Sequence, residues 1–123
     1  MKKIALLFCA ALLIVGCSEQ PKVPQSKWEK LWDNDGEYYI DKSSIKGKSI
    51  KKAWLKHVEK DGDRSLTLFS VNCAEDTIAA IANYSYDKNN KAKLGGGENE
   101  KPRYTAIIPD TNGREIANYL CSQ

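Results

Sequence analysis

Apolar and polar residues change rhythm repeatedly along the chain. From Ile4 to Val15, twelve uncharged residues dominated by Ile, Leu, Ala, Val and Phe form one unbroken run. From Ser18 to Lys27 the chain is mostly polar and carries Pro21 and Pro24. Beyond it, short stretches rich in aromatic and β-branched residues alternate with polar breaks, the pattern of half-buried strands separated by turns. Trp28 to Trp32 and Glu37 to Asp41 flank Asp33-Asn34-Asp35-Gly36, whose Asp-Gly ending suits a tight reversal and predicts a hairpin. Ile50 to Glu59 and Ser65 to Cys73, joined by Lys60-Asp61-Gly62-Asp63-Arg64, predict a second hairpin. In its later strand Phe69, Val71 and Cys73 alternate onto one face, the buried one.

Thr77 to Tyr86 suits either a helix or a strand, because a short apolar run such as Ile78-Ala79-Ala80-Ile81-Ala82 does not reveal its period. The Tyr-rich end favours an extended chain, with Ile78, Ala80, Ala82, Tyr84 and Tyr86 on one side. Asp87 to Pro102 is polar and Gly-rich and predicts a mobile loop, and Arg103 to Ile108 a last strand. Pro109-Asp110-Thr111 offers a helix start, with Asp110 or Thr111 accepting the first free backbone N–H groups. Ile116 with Leu120, and Ala117 with Cys121, stand four apart and give that helix an inward stripe. The expected fold is α+β: an antiparallel β-sheet of about five to six strands, with a C-terminal helix packed on one face and one disulfide.

The leading apolar run changes the picture of the N-terminus. It follows Lys2 and Lys3, the plan of a secretion signal. As a helix it would span roughly 18 Å, short of the ~30 Å hydrocarbon core. It ends in Ile14-Val15-Gly16-Cys17, which resembles the lipobox cut by lipoprotein signal peptidase, where the cysteine thiol receives diacylglycerol. Residues 1–16 are thus expected to be a lipoprotein signal peptide and Cys17 the lipidated first residue. Two or three acyl chains, at ~0.8 kcal/mol per buried methylene, make detachment slow. Ser18 in place of Asp implies, by resemblance to Gram-negative lipoproteins, sorting to the outer membrane. Residues 17–27 are expected to be a flexible tether and residues 28–123 the single folded domain.

Charge and cysteine content then take on new values. Removing Lys2 and Lys3 from 19 basic residues leaves 17 against 16 acidic ones, so the formal charge falls from +3 to +1 and says little about partners. Of four cysteines, Cys9 leaves with the signal and Cys17 is acylated, so Cys73 and Cys121 remain to pair in an oxidising compartment. Closing a loop of about 49 residues restricts the unfolded chain by roughly 4 kcal/mol, comparable to the whole stability of a small domain.

Trp28, Tyr38-Tyr39-Ile40-Asp41, Ile45, Ala53-Trp54, Cys73, Tyr84-Ser85-Tyr86, Ile108-Pro109-Asp110-Thr111 and Cys121 occur in that order. In order and spacing they resemble the surface-adhesin protein E-like family of Gram-negative outer-membrane lipoproteins, across about Lys27 to Cys121. The resemblance implies an antiparallel sheet, a packed C-terminal helix and one disulfide at these two cysteines. For the family's named member it also implies a homodimer and adhesion to host extracellular-matrix and serum proteins. The matching residues are mainly core and turn positions: Tyr39, Ile40 and Trp54 are expected to pack, and Asp41 with Ser43 and Ser44 to fix a turn. A shared fold does not establish a shared ligand.

Candidate chemistry is sparse. Lys42, Lys46, Lys48, Lys51, Lys52, Lys56 and Lys60 place seven ammonium groups in nineteen residues, with only Asp41 and Glu59 nearby. Such a surface attracts acidic partners, screened over ~8 Å at physiological salt, or keeps an edge strand from pairing. Lys46, Lys48, Lys51, Lys52 and Lys56 are the candidate partner-binding residues. Nucleic acid is disfavoured by compartment. His57, the sole histidine, would need a serine and a carboxylate beside it in a strand, so no catalytic residue is assigned and no enzyme expected. Asp61-Gly62-Asp63 lacks the later ligands of a calcium loop, and Gly95-Gly96-Gly97 lacks the Lys-Ser/Thr of a phosphate-binding loop, so neither a metal nor a cofactor is expected. The leading expectation is a lipid-anchored, adhesin-like binding module presenting a basic sheet edge and the 87–102 loop. The alternatives are an envelope inhibitor of lysozyme or another hydrolase, and a structural envelope component.

Overall fold

The computed structural model describes residues 26–123. The signal segment, Cys17 and all but the last two residues of the 17–27 tether lie outside the described residues. The elements run β1 (Trp28–Asp33), β2 (Glu37–Asp41), a 3-10 turn (Lys42–Ser44), β3 (Ile50–Val58), β4 (Arg64–Asn72), β5 (Thr77–Tyr86), β6 (Gly97–Glu98), β7 (Thr105–Ala106) and α1 (Asn112–Cys121). Strands β1 to β5 lie side by side in chain order, every pair antiparallel, and β6 and β7 both pair with β5.

Local chemistry explains the turns. Gly36 closes the first hairpin at φ 131°, where a Cβ would stand 2.5 Å from the Val58 carbonyl oxygen, so the reversal needs a residue without one. In the second hairpin the Glu59 N–H donates to the Asp63 carbonyl (2.8 Å) and the Asp63 N–H to the Asp61 carboxylate (2.9 Å), which makes Asp61-Gly62-Asp63 a turn. Thr111 caps α1: its hydroxyl oxygen accepts from the Arg114 N–H at 3.3 Å.

The core lies between the sheet and α1. Ile40, Ala53, Leu55 and Val71 point from the sheet toward Ile116, Ala117 and Leu120, with Ile107 closing one side. Burying each larger side chain contributes about 1.5–3 kcal/mol. Cys73 and Cys121 form a disulfide, Cα to Cα 5.7 Å, joining the end of β4 to the end of α1. At its other end Arg114 makes two 2.7 Å hydrogen bonds to the Asp76 carboxylate and a third, of 3.0 Å, to the Ile107 carbonyl. The helix is therefore fastened at both ends as well as along its apolar stripe.

Three expectations need correction. Ile78, Ala80, Ala82, Tyr84 and Tyr86 do not share one side, because β4 and β5 slip register between Leu68 and Phe69, leaving Ile81 as an extra residue. That bulge keeps Ile78 and Ala80 opposite Val71 and Phe69 on the helix side and sends Ala82, Tyr84 and Tyr86 to the other. The predicted strand from Arg103 to Ile108 contracts to Thr105–Ala106. Part of the predicted 87–102 loop is ordered along the outer edge of β5, through β6 and a bridge from Tyr86 to Ala92. Gly96 passes so close there that a Cβ would meet the Asn83 carbonyl oxygen at 2.9 Å, so this one glycine of the three serves close approach to a strand edge.

Candidate functional site

Helix α1 covers one face of the sheet; no helix covers the other, where Ser70, Ala79 and Ala82 are buried and the Lys52 to Lys56 stretch of β3 borders a groove. Because side chains alternate along a strand, the residues between the core positions of β3, namely Lys52, Trp54 and Lys56, all project onto this second face. Cross-strand register carries the pattern across it. One row runs Lys30, Tyr39, Lys56, Leu66 and Tyr84, and a neighbouring row holds Trp54, Leu68 and Ala82. The aromatic residues of these rows are half-buried, an unusual load for a sheet face without a covering layer.

Lys56 lies at the centre. Its Nζ is 4.4 Å from the Trp28 ring centroid and 4.9 Å from that of Tyr39, so the ammonium rests on two aromatic faces. Desolvation there, helped by the nearby Arg64 charge, pulls its pKa below the ordinary lysine value. Trp54 leans toward Tyr84, with centroids 6.2 Å apart and planes tilted by 35°.

Asp41 frames the site. Its Oδ1 accepts from the Lys27 N–H (2.9 Å), the Ser43 N–H (3.0 Å) and the Ser43 hydroxyl (2.6 Å). The Ser44 hydroxyl donates to the Asp41 carbonyl (2.7 Å) and accepts from the Trp54 N–H (2.9 Å). Burial works against the charged carboxylate, but these hydrogen bonds outweigh it and hold Asp41 below the ordinary carboxylate range. Asp41, Ser43 and Ser44 fix the turn as expected, and through Ser44 they also fix the backbone of Trp54.

Two clefts meet at Trp54. A cleft of ≈ 330 Å³ is lined by Asp41, Ser43, Ser44, Lys46, Lys52, Trp54 and Leu68. The other, of ≈ 220 Å³, is lined by Ser26, Trp28, Asp41, Trp54, Leu66 and Tyr84. The Ser70 hydroxyl and Tyr104 hydroxyl share a 2.7 Å hydrogen bond where the chain approaches β7.

The five candidate lysines do not form one patch. Lys46 and Lys52 face each other as a bridged pair, each N–H donating to the other's carbonyl (3.0 and 2.9 Å), and both line the larger cleft. Lys56 lies within the aromatic row. Lys51, one residue out of phase, belongs to the helix side, where its Nζ donates to a Gln123 oxygen at 3.2 Å, and Lys48 is exposed in the turn before β3. The 87–102 segment follows the far edge of the sheet and lines neither cleft.

The remaining chemistry-bearing residues sit elsewhere. His57 belongs to the helix-side face, stacked on Tyr38 at 4.2 Å, which stacks on Trp32 at 5.0 Å. Ligand oxygens of Glu59, Asp61 and Asp63 come within 4.8 Å of one another, but Asp63 is committed to the Lys93 ammonium and the Lys88 N–H, and hydrogen bonding from Lys93 holds its pKa below the ordinary range. Sequence reasoning assigned Trp54 and Tyr39 to packing and did not single out Trp28, Leu66 and Tyr84 as a surface. For Tyr39, Trp54 and Leu66 the usable signal was alternation out of phase with Ile40, Leu55 and Val71; Trp28 and Tyr84 lie beyond register shifts that alternation does not reveal.

An antiparallel sheet whose strands follow chain order, backed on one face by a disulfide-pinned C-terminal helix, defines the structural class. Crystal structures of protein E from Haemophilus influenzae have this fold. One, from a non-typeable strain, is 19% identical to this chain with a TM-score of 0.57, covering 83% of this chain and 80% of its own. A second, crystal form II, is 18% identical with a TM-score of 0.58, covering 83% and 92%. At this identity the likeness is one of fold. No protein-family model matches the chain, and no curated protein matches it. Among the described residues no helix is long and apolar enough to cross a membrane.

Proposed function

We propose that this protein is a lipid-anchored, outer-membrane, adhesin-like binding module that performs no catalysis and engages extracellular-matrix or serum proteins through the basic, aromatic face of its sheet. Three features support this reading. The lipobox-like Ile14-Val15-Gly16-Cys17 supplies the anchor, and the protein E-like fold supplies a precedent for the scaffold. The observation that carries it is the uncovered face itself, where Trp28, Tyr39, Trp54 and Tyr84 accompany Lys46, Lys52 and Lys56. Aromatic residues beside cations are the composition of interface anchors rather than of a solvated surface.

Binding to immobilised laminin and vitronectin tests this reading. The expected result is association that weakens as salt rises and falls at least tenfold when Lys46 and Lys52 are both changed to Glu. Absence of binding at low salt would overturn it. Protease accessibility on whole cells reports independently whether the domain faces the medium, as adhesion requires.

A further inference from the structure

The larger cleft combines features that specify a ligand class more closely than a basic surface does. Lys46 and Lys52 are direct cross-strand neighbours of like charge, an arrangement that disfavours the sheet unless an anion lies between them. Neither forms an ion pair among the described residues. Both line the cleft whose other wall is Trp54, and Asp41, the carboxylate beside them, is already occupied by three donors.

The polar groups of the floor are also committed in one direction. The Ser43 hydroxyl spends its proton on Asp41 and the Ser44 hydroxyl on the Asp41 carbonyl, so Ser43 presents only acceptor capacity to a ligand. The cleft thus offers an indole side chain, a hydroxyl acceptor and two ammonium donors. An extended peptide strand would seek paired backbone groups, which a sheet face does not supply. A pyranose ring fits the combination: its C–H face rests on the electron-rich face of an indole, and its hydroxyl groups donate to a fixed acceptor. Two ammonium groups across from each other, with no arginine fork among the lining residues, suit a compact tetrahedral anion with several oxygens better than a planar carboxylate. The volume of ≈ 330 Å³ lies at the lower end of ligand pockets, roughly 300–1,000 Å³.

We infer that the cleft between Trp54 and the Lys46–Lys52 pair is a binding subsite for a sulfated saccharide, the sulfate seated between the two ammonium groups and the sugar ring against Trp54. This rests on the proposal that the open face is the binding surface, and it names the chemistry recognised there.

The test is titration of the ¹⁵N-labelled mature domain with a heparin-derived tetrasaccharide, followed through the three tryptophan indole N–H signals. Trp54 is expected to shift strongly, Trp32 on the opposite face to stay still, and the affinity to fall at least tenfold in Lys52→Glu. Trp54→Phe, which keeps a smaller ring in place, is expected to weaken binding several-fold if Trp54→Ala does not fold. Lys60→Glu, a charge change of the same size in the turn after β3 at a residue that lines neither cleft, is expected to leave affinity within twofold. No shift at millimolar sugar, equal shifts with unsulfated chitotetraose or with inorganic sulfate alone, or an affinity unchanged by Lys52→Glu would each overturn the inference. Matrix-protein binding that persists while the tetrasaccharide fails would reject the saccharide subsite and leave the protein-binding reading standing.

Discussion

The two faces of this sheet are made from the same strands and obey different rules. In β3, Ala53 and Leu55 are buried against α1, and the alternate residues Lys52, Trp54 and Lys56 face a groove. On the helix side the apolar groups are enclosed, and the covering layer is fixed by a disulfide, a cap and the Arg114–Asp76 pair. On the other side large rings are left half-covered beside Lys46, Lys52 and Lys56, which form no ion pair among the described residues. One face holds the domain together, and the other keeps interaction energy unspent.

That contrast is most sharply broken by a matched pair of truncations. Leu120 is fully buried in α1, and Leu66 lies at the centre of the open face. Leu120→Ala should cost about 2–5 kcal/mol, removing buried methylenes and leaving a cavity. Leu66→Ala should cost about 1 kcal/mol or less, because the side chain is only partly withdrawn from water. Denaturant unfolding of both variants checks this, and equal losses would mean that the open face is a second structural core.

Acid should separate the faces next. Asp41 has its folded pKa below the unfolded value of about 3.9, so its carboxylate contributes stability that is present above that value and lost as pH falls through the folded pKa. Asp76, held low first by its hydrogen bonds from Arg114, shifts in the same direction on the helix side, but it is exposed and its effect is screened. Asp41→Ala should cost about 1.5–3 kcal/mol at neutral pH, since three donors lose a charged acceptor. The measurement is melting temperature from pH 7 to pH 2. The native chain should lose stability below about pH 4, and the variant should be flatter there. A variant as acid-sensitive as the native chain would show that Asp41 does not frame the open face.

Much of this architecture was legible because it is written in alternation and in turn chemistry. Trp28 to Asp41 and Ile50 to Cys73 carried both, and they form the first four strands nearly as bounded. Cys73 and Cys121 were legible by counting. What escaped depended on tertiary register. The bulge at Ile81 has no marker, since alanine and isoleucine suit either face, and it moved Tyr84 and Tyr86 to the open side. Strand β6 consists only of Gly97 and Glu98 and pairs with β5 just after Gly96, where the backbone passes too close to Asn83 for a Cβ. The candidate site was half legible. Lysine density pointed to the segment that borders the groove, but strand parity gives Lys51 to the helix side and Lys52 and Lys56 to the groove.

Lys56 gives the smallest expected change and the finest distinction between the faces. Its ammonium rests on Trp28 and Tyr39, where cation–π attraction of roughly 0.5–1 kcal/mol favours the charge and desolvation opposes it. Because its folded pKa is lowered, the charge is on balance less welcome in the fold than in the unfolded chain. Stability should therefore rise slightly as pH climbs through the folded pKa toward the unfolded value of about 10.4. Lys56→Met preserves the apolar stem packed against the rings and removes only the ammonium. It should change stability at neutral pH by less than about 0.5 kcal/mol, in the stabilising direction, and abolish the alkaline gain. A larger loss in thermal unfolding would mean that the ammonium holds Trp28 and Tyr39 in place, making the open face a structure built around a cation.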